Sequence, residues 1–260
     1  MLECVINVSE GRDHVIIDSL AQSCAGDLLD IHSDPDHNRS VFTLLGVDAP
    51  RALARAAVSA LSLSDHSGVH PRIGVVDVVP FVPLVDSTMQ DAQKARDEFA
   101  AWVAVELNVP IFLYGTERTL PDIRKNAWTS LFPEVGSKVP HPTAGAMCVG
   151  VREPLVAYNL WLENVDLETT RRIATSVRTA NIRTLGLQVG AFTQVSVNLI
   201  QPMIADPNDV YEAVSQHAKV HHAELVGLLP ASVLATIPRA RWEDLDLSVE
   251  RTIEWRVTNR

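Results

Sequence analysis

At 260 residues the chain is long enough for two cores of ordinary size, and its 47% apolar and 21% charged residues exclude disorder as the default state. A net charge of −10 excludes a nucleic-acid backbone as partner, because that needs a basic face, and obliges the protein to concentrate its cations wherever it holds a small anion. The longest apolar runs are broken by proline or charge, short of the about 18 residues that span a membrane.

The opening stretch M-L-E-C-V-I-N-V-S-E-G has an acid where a secretory signal carries lysines. Cys4, Cys24 and Cys148 are widely scattered, without metal or redox spacing, and read as free thiols of a cytoplasmic protein. The chain then starts with a strand over 3–8. A helix carrying Val15, Ile16, Leu20 and Cys24 at helical spacing follows, closed by Gly26. Strands are expected at 28–32 and 40–45 around the turn-rich S-D-P-D-H-N-R. A helix from about Asp48 places Leu53, Ala57 and Leu61 on one face, and a strand over 75–82 closes the unit.

An added helix over about 88–107, with Ala92, Ala95, Phe99 and Val103 inward, precedes a strand at 109–114. Residues 115–147 carry little periodicity and read as a long loop, functional or connecting. The first pattern then returns: a strand at 154–162, a helix capped by Asp166 with Ile173 and Val177 inward, and strands at 184–189 and 193–200. A helix opened by Asp206-Pro207 and carrying Val210, Val214 and Ala218, and a strand at 223–230, complete it. Strand, helix, two strands, helix, strand is the ferredoxin-like βαββαβ order. The fold class is therefore α+β, with two such subdomains expected at 1–150 and 151–260.

The richest chemistry lies in D-H-S-G-V-H-P-R-I-G-V-V-D, residues 65–77. Pro71 forces His70 into extended geometry, so its imidazole is either a stiffly aimed catalytic base or a surface-loop histidine. Arg72 offers a bidentate fork for a carboxylate. Asp77, in an apolar run, needs partners; it either orients a histidine or pairs with an arginine. In H-S-D-P-D-H-N-R, residues 32–39, the histidines and aspartates suit a metal or, with their turn-forming residues, a polar loop lining a pocket; Asn38 and Arg39 are placed to hold an anionic or amide group. His217, His221 and His222 are expected at the end of the last long helix, either as a metal pair or facing the helix dipole. The loop 131–146, whose only cation is Lys138, fits a ligand-approach loop and a linker equally.

Taken together and in order, E-C-V-I-N-V-S-E-G, L-L-D-I-H-S-D-P-D-H-N-R-S-V-F-T, H-S-G-V-H-P-R-I-G-V-V-D-V-V-P-F, V-P-I-F-L-Y-G, T-L-P-D-I-R, G-A-M-C-V-G-V-R-E-P-L-V-A-Y-N, T-Q-V-S-V-N-L and E-L-V-G-L-L-P resemble the formiminotransferase domain of formiminotransferase-cyclodeaminase and its stand-alone bacterial relatives. The resemblance spans nearly the whole chain, and no helical cyclodeaminase part accompanies it. It implies two ferredoxin-like subdomains packed to form a ligand groove, a homodimer, and transfer of the formimino group of N-formimino-L-glutamate to tetrahydrofolate, a co-substrate, with no metal. On that resemblance His70 is the general base and Asn7, Asn38 and Arg39 face the substrate, with Arg72 added as a carboxylate-holding cation. Folate then lies on Gly136, Ser137, Lys138, Val139, Pro140, His141, Pro142, Thr143, Ala144 and Gly145. The vertebrate-type pattern has an aspartate where this chain has His32, and the chain is shorter near 116–132 and 178–184. Competing readings are a folate- or amino-acid-binding relative with a changed acceptor or no catalysis, and a metal-dependent hydrolase built on residues 32–37 with His66 or His70.

Overall fold

Alternation along E-C-V-I-N-V buries Cys4, Ile6 and Val8 completely on one face of strand β1 (Leu2–Val8), as a half-covered strand requires. In the computed structural model, which describes residues 1–260, β1 lies between β3 (Arg39–Leu45) and β4 (Val76–Pro83), antiparallel to both, with β2 (Leu28–Asp34) beyond β3. Helices α1 (His14–Ser23) and α2 (Asp48–Ala60) complete the βαββαβ pattern, so β2-β3-β1-β4 is the ferredoxin-like strand order. Asp13 caps α1 by accepting from the amides of Val15 and Ile16 at 2.9 and 3.2 Å. The inward face of α1 is Ile17 and Leu20; Val15, expected inward, is 79% exposed.

Two further strands extend this sheet. Helix α3 (Met89–Glu106) buries Ala92, Ala95, Phe99 and Val103 as its spacing predicts, and leads to β5 (Ile111–Tyr114). The stretch expected to be one long loop contains α4 (Leu120–Asn126), and β6 (Met147–Val151) follows directly, so the sheet reads β2-β3-β1-β4-β6-β5. Strand β6 is parallel to both neighbours and every residue in it is buried, which removes the alternation by which a strand is recognised. Helix α4 is a single pair of turns with only Ile123 fully buried, too short to show a period.

The chain divides into two compact units, Met1–Arg152 and Glu153–Arg260. The second holds β7 (Val156–Leu162), α5 (Leu167–Ser176), β8 (Ile182–Val189), β9 (Phe192–Leu199), α6 (Pro207–Ser215) and β10 (Val220–Val226), in the sheet order β10-β7-β9-β8. This is again the ferredoxin-like arrangement. Short helices α7 (Ala231–Leu234) and α8 (Ile253–Thr258) follow, and the Tyr158 hydroxyl donates to the Leu245 carbonyl at 2.7 Å, anchoring the C-terminal segment on β7.

Two expectations fail here for one reason. Helix α6 stops at Ser215, so Ala218 lies beyond it, and His221 and His222 belong to β10 rather than to a helix end. V-H-H-A-E-L-V alternates Ala223 and Leu225 inward with His222 and Glu224 outward, a period of two. The closing strand therefore begins three residues earlier than expected and ends at Val226.

Phe81 has zero exposure and meets the Phe99 ring edge-on at 5.6 Å, joining β4 to α3. Phe81→Ala is expected to cost about 3–5 kcal/mol, read as a lower urea midpoint at unchanged slope.

Candidate functional site

A single buried carboxylate organises the first unit's chemistry. Between β1 and β4 the register slips, Asn7 facing Val78 and Val8 facing Val76, so Asp77 is the extra residue of a β-bulge. Bulges re-aim side chains. Asp77 has zero exposure, yet its carboxylate is fully answered. Arg124 from α4 grips both oxygens at 3.0 and 2.5 Å, Arg39 from β3 donates to Oδ2 at 2.9 Å, and the Ile73 amide donates to Oδ1 at 2.8 Å. Burial alone would raise the carboxyl's pKa, but the two guanidiniums hold it well below the ordinary carboxylate range. Arg39 also donates through Nε to Asn7 Oδ1 at 3.1 Å, which places two of the four expected substrate residues in one constellation.

The Ile73 amide carries that order into the loop before β4. Ser9 at the end of β1 takes the Gly74 carbonyl through its hydroxyl at 2.8 Å and the Val75 carbonyl through its amide at 2.7 Å. Asn38 adopts a left-handed φ of 47° in the β2–β3 turn and is buried. Its Oδ1 accepts from the Gly11 amide at 2.9 Å, its Nδ2 donates to the Ser67 carbonyl at 3.1 Å, and its own carbonyl accepts from His66 Nε2 at 2.8 Å. Asn38 therefore clips three loops together, and both ends of its amide are engaged. Gly68 is required at this junction, since a Cβ there would fall on the His37 carbonyl oxygen. Arg72 turns back on its own loop: Nε and one terminal nitrogen donate to the His70 carbonyl, and the other terminal nitrogen lies against the His66 ring. Instead of standing open as a fork, it braces the turn that carries His70.

His70 is half-buried, its ring 6.0 Å from that of His37. Its Nδ1 lies 2.9 Å from the Pro71 carbonyl oxygen; a carbonyl only accepts, so Nδ1 carries the proton and Nε2 the lone pair. Burial, and then the Arg39 charge, push the imidazole's pKa down from 6.5 to about 3. The surroundings thus favour the neutral imidazole, with the lone pair of Nε2 free to accept a proton.

The loop from Gly136 to Gly145 divides. His141 pairs with Gly145 at 2.8 and 3.0 Å, and its Nδ1 accepts from the Ala144 amide at 3.0 Å and the Thr143 amide at 3.3 Å. Ala144 and Ala146 bond to Val75 and Ile73, and Thr143 accepts from the Leu63 amide at 2.8 Å, so residues 141–146 sit directly against the His70 loop. Gly145 needs its left-handed φ of 71° and lies where a Cβ would strike the Ile73 carbonyl. Residues 136–140 are placed otherwise: Gly136 packs near Ala104 and Pro110, the Ser137 hydroxyl caps the Val139 amide, Val139 and Pro140 are exposed, and Lys138 donates to the Pro133 carbonyl. The cluster at 32–37 divides between the end of β2 and the turn that follows, in which Asp34 Oδ1 accepts from the amides of Asp36 and His37, both at 2.8 Å. No group of three His, Cys, Asp or Glu side chains is arranged to hold a metal.

Arg124 is the one member of the constellation that sequence reasoning passed over. Its signal was present in T-L-P-D: Thr119 and Asp122 form a capping box, with Pro121 in the first turn, which announces a helix whose last turn carries Arg124.

Two consequences are measurable. Between pH 6.5 and about 3 the folded His70 binds fewer protons than the unfolded chain, so its contribution is complete above pH 6.5 and is lost as pH falls through that window. The thermal midpoint of the wild type is expected to drop more steeply between pH 6.5 and 4.5 than that of His70→Asn. Asp77→Asn leaves two buried guanidiniums short of their counter-charge and should cost about 3–5 kcal/mol in urea unfolding at pH 7.

The profile described as the formiminotransferase domain, N-terminal subdomain, matches residues 1–152. A glutamate formimidoyltransferase of Streptococcus pyogenes serotype M1 is 33% identical over 91% of this chain and 91% of its own length. One of Thermoplasma acidophilum is 31% identical over 92% of this chain and 91% of its own. A formimidoyltransferase-cyclodeaminase of Rattus norvegicus is 31% identical over 90% of this chain, which spans 51% of that longer protein. On the extent of these matches, the chain belongs to the formiminotransferase domain family.

Proposed function

We propose that this protein is a glutamate formimidoyltransferase, moving the formimino group of N-formimino-L-glutamate to N5 of tetrahydrofolate. The observation that carries the reading is the His70 imidazole: held neutral, with its lone pair on Nε2, beside a cluster of one carboxylate and two guanidiniums, in a chain that aligns along nine-tenths of its length with proteins named for this reaction.

In this reading N5 attacks the amidine carbon, and His70 Nε2 takes the proton that N5 loses. The resulting imidazolium lies in surroundings that disfavour its charge, so it is a strong acid and passes the proton to the departing glutamate nitrogen. The carbon–nitrogen bond to glutamate breaks as the new one is kept, leaving glutamate and the 5-formimino product, with no net change in oxidation state. Arg39 uses Nε and one terminal nitrogen on Asn7 and Asp77, and its second terminal nitrogen is the donor we assign to a substrate carboxylate. Asn38 and Arg72 act by holding the loops rather than by touching substrate. Folate is assigned to the 141–145 half of the glycine-bounded loop, which is the half bonded to the His70 segment. No helix is long and apolar enough to cross a membrane. A cytoplasmic homodimer is the assembly that accompanies this reading, and sedimentation of the pure protein tests the dimer.

Incubation with formiminoglutamate and tetrahydrofolate is expected to release glutamate, and His70→Ala to slow release by about 10²–10⁴-fold. Release by the wild type no faster than the enzyme-free background would overturn the function. Equal turnover by both proteins would remove only the role of His70.

A further inference from the structure

The cluster under His70 is not charge-balanced. Asp77 contributes one negative charge and Arg39 and Arg124 one positive charge each, so the buried group carries a net positive charge. It is presented to His70 from three different elements: Arg39 from β3, Asp77 from β4 and Arg124 from α4. Beside it lie the Arg72 guanidinium, which donates to the His70 carbonyl, the His37 ring, 6.0 Å away, and the Pro71 carbonyl on its own loop.

Arg124 is built into this arrangement with some rigidity. The capping box at Thr119 and Asp122 starts its helix, Ile123 anchors that helix with zero exposure, and the Phe112 and Trp128 rings meet edge-on at 5.1 Å just beyond it. From there the guanidinium takes both carboxylate oxygens, a fork geometry that an ammonium cannot reproduce. Arg39 is left to touch only Oδ2, so that its Nε reaches Asn7 and its other terminal nitrogen stays uncommitted to Asp77. Oδ1 keeps its second contact, the Ile73 amide three residues past His70.

We propose that Arg124 and Asp77 are positioning residues for the reaction proposed above: by saturating Asp77, Arg124 frees Arg39 for a substrate carboxylate, fixes the His70 loop through Ile73, and keeps the cluster positive until an anionic donor arrives. This rests on the formimidoyltransferase reading for its role in turnover. The electrostatic part stands on the arrangement of the Arg39, Asp77 and Arg124 charges and on their effect on the imidazole, whatever the reaction. A bound carboxylate at Arg39 cancels the excess charge, and the imidazole becomes a stronger base only when the donor is in place.

The experiment is an NMR titration of the histidine imidazoles in the intact wild type, Arg124→Lys and Arg124→Met, with the kinetics of formimino transfer measured alongside. Loss of the Arg124 charge should move the His70 midpoint up by about one pH unit in Arg124→Met, with little movement in Arg124→Lys, while unchanged near-ultraviolet circular dichroism in all three serves as a check of folding. In turnover, Arg124→Met should lose about tenfold in kcat, and Arg124→Lys should recover part of that loss, because it restores charge but not the two-pronged grip. A His70 midpoint unchanged in folded Arg124→Met overturns the proposal, as does equal kcat in all three proteins. If the wild type transfers no formimino group, the functional reading falls, and the His70 midpoints still decide whether Arg124 sets the imidazole.

Discussion

The carboxylate of Asp77 is the constraint on which the first unit's architecture turns. A carboxylate with no access to water is tolerated only when its oxygens are paired and hydrogen-bonded. Here the partners come from β3, from α4 and from the loop before β4, so satisfying one side chain draws three segments to one place. The bulge at the head of β4 is part of the same solution. On a regular strand Asp77 would share the face of Val79 and Phe81, which lie in the apolar core; the extra residue turns it to the face of Asn7 and Arg39 instead.

Around that centre the loops are joined by backbone approaches that few residues allow. Gly11, Gly68 and Gly74 each lie where a Cβ would meet a neighbouring carbonyl oxygen, and Asn38 adopts a left-handed conformation with its amide engaged at both ends. Segments that look like ligand-binding loops in isolation therefore hold one another. The polar residues gathered there divide between those that build the loop, Asn38, His66 and Arg72, and those that define its chemical face, His70, Arg39 and Asn7. Residue type does not separate these two groups; only their partners do.

Much of the scaffold was legible in the chain. The period of α3 identified its four inward residues, Asp166 was recognisable as a cap, and the ferredoxin-like order emerged twice from alternating periods. What escaped was β6, because complete burial in a parallel setting erases alternation, and α4, because seven residues with one inward side chain carry no measurable period. Val15 misled because the adjacent apolar residues of α1, Val15, Ile16 and Ile17, fit more than one helical face. The doubled histidine at the start of β10 imitated a helix end, since the strand's alternation becomes visible only once its outward positions are known to be polar.

For the site, the stretch from His66 to Asp77 already contained the stiff proline, the histidine and a carboxylate that had to find partners. Its residue types determined that Asp77 would need partners, a histidine to orient or an arginine to pair with. Tertiary structure alone decided which cations, and hence the state of His70. Arg39 and Arg124 stand 38 and 47 residues away from Asp77 along the chain, and no local pattern connects them. The charge on an imidazole depends on burial and on every group within a few ångströms, and only the folded chain brings those groups together.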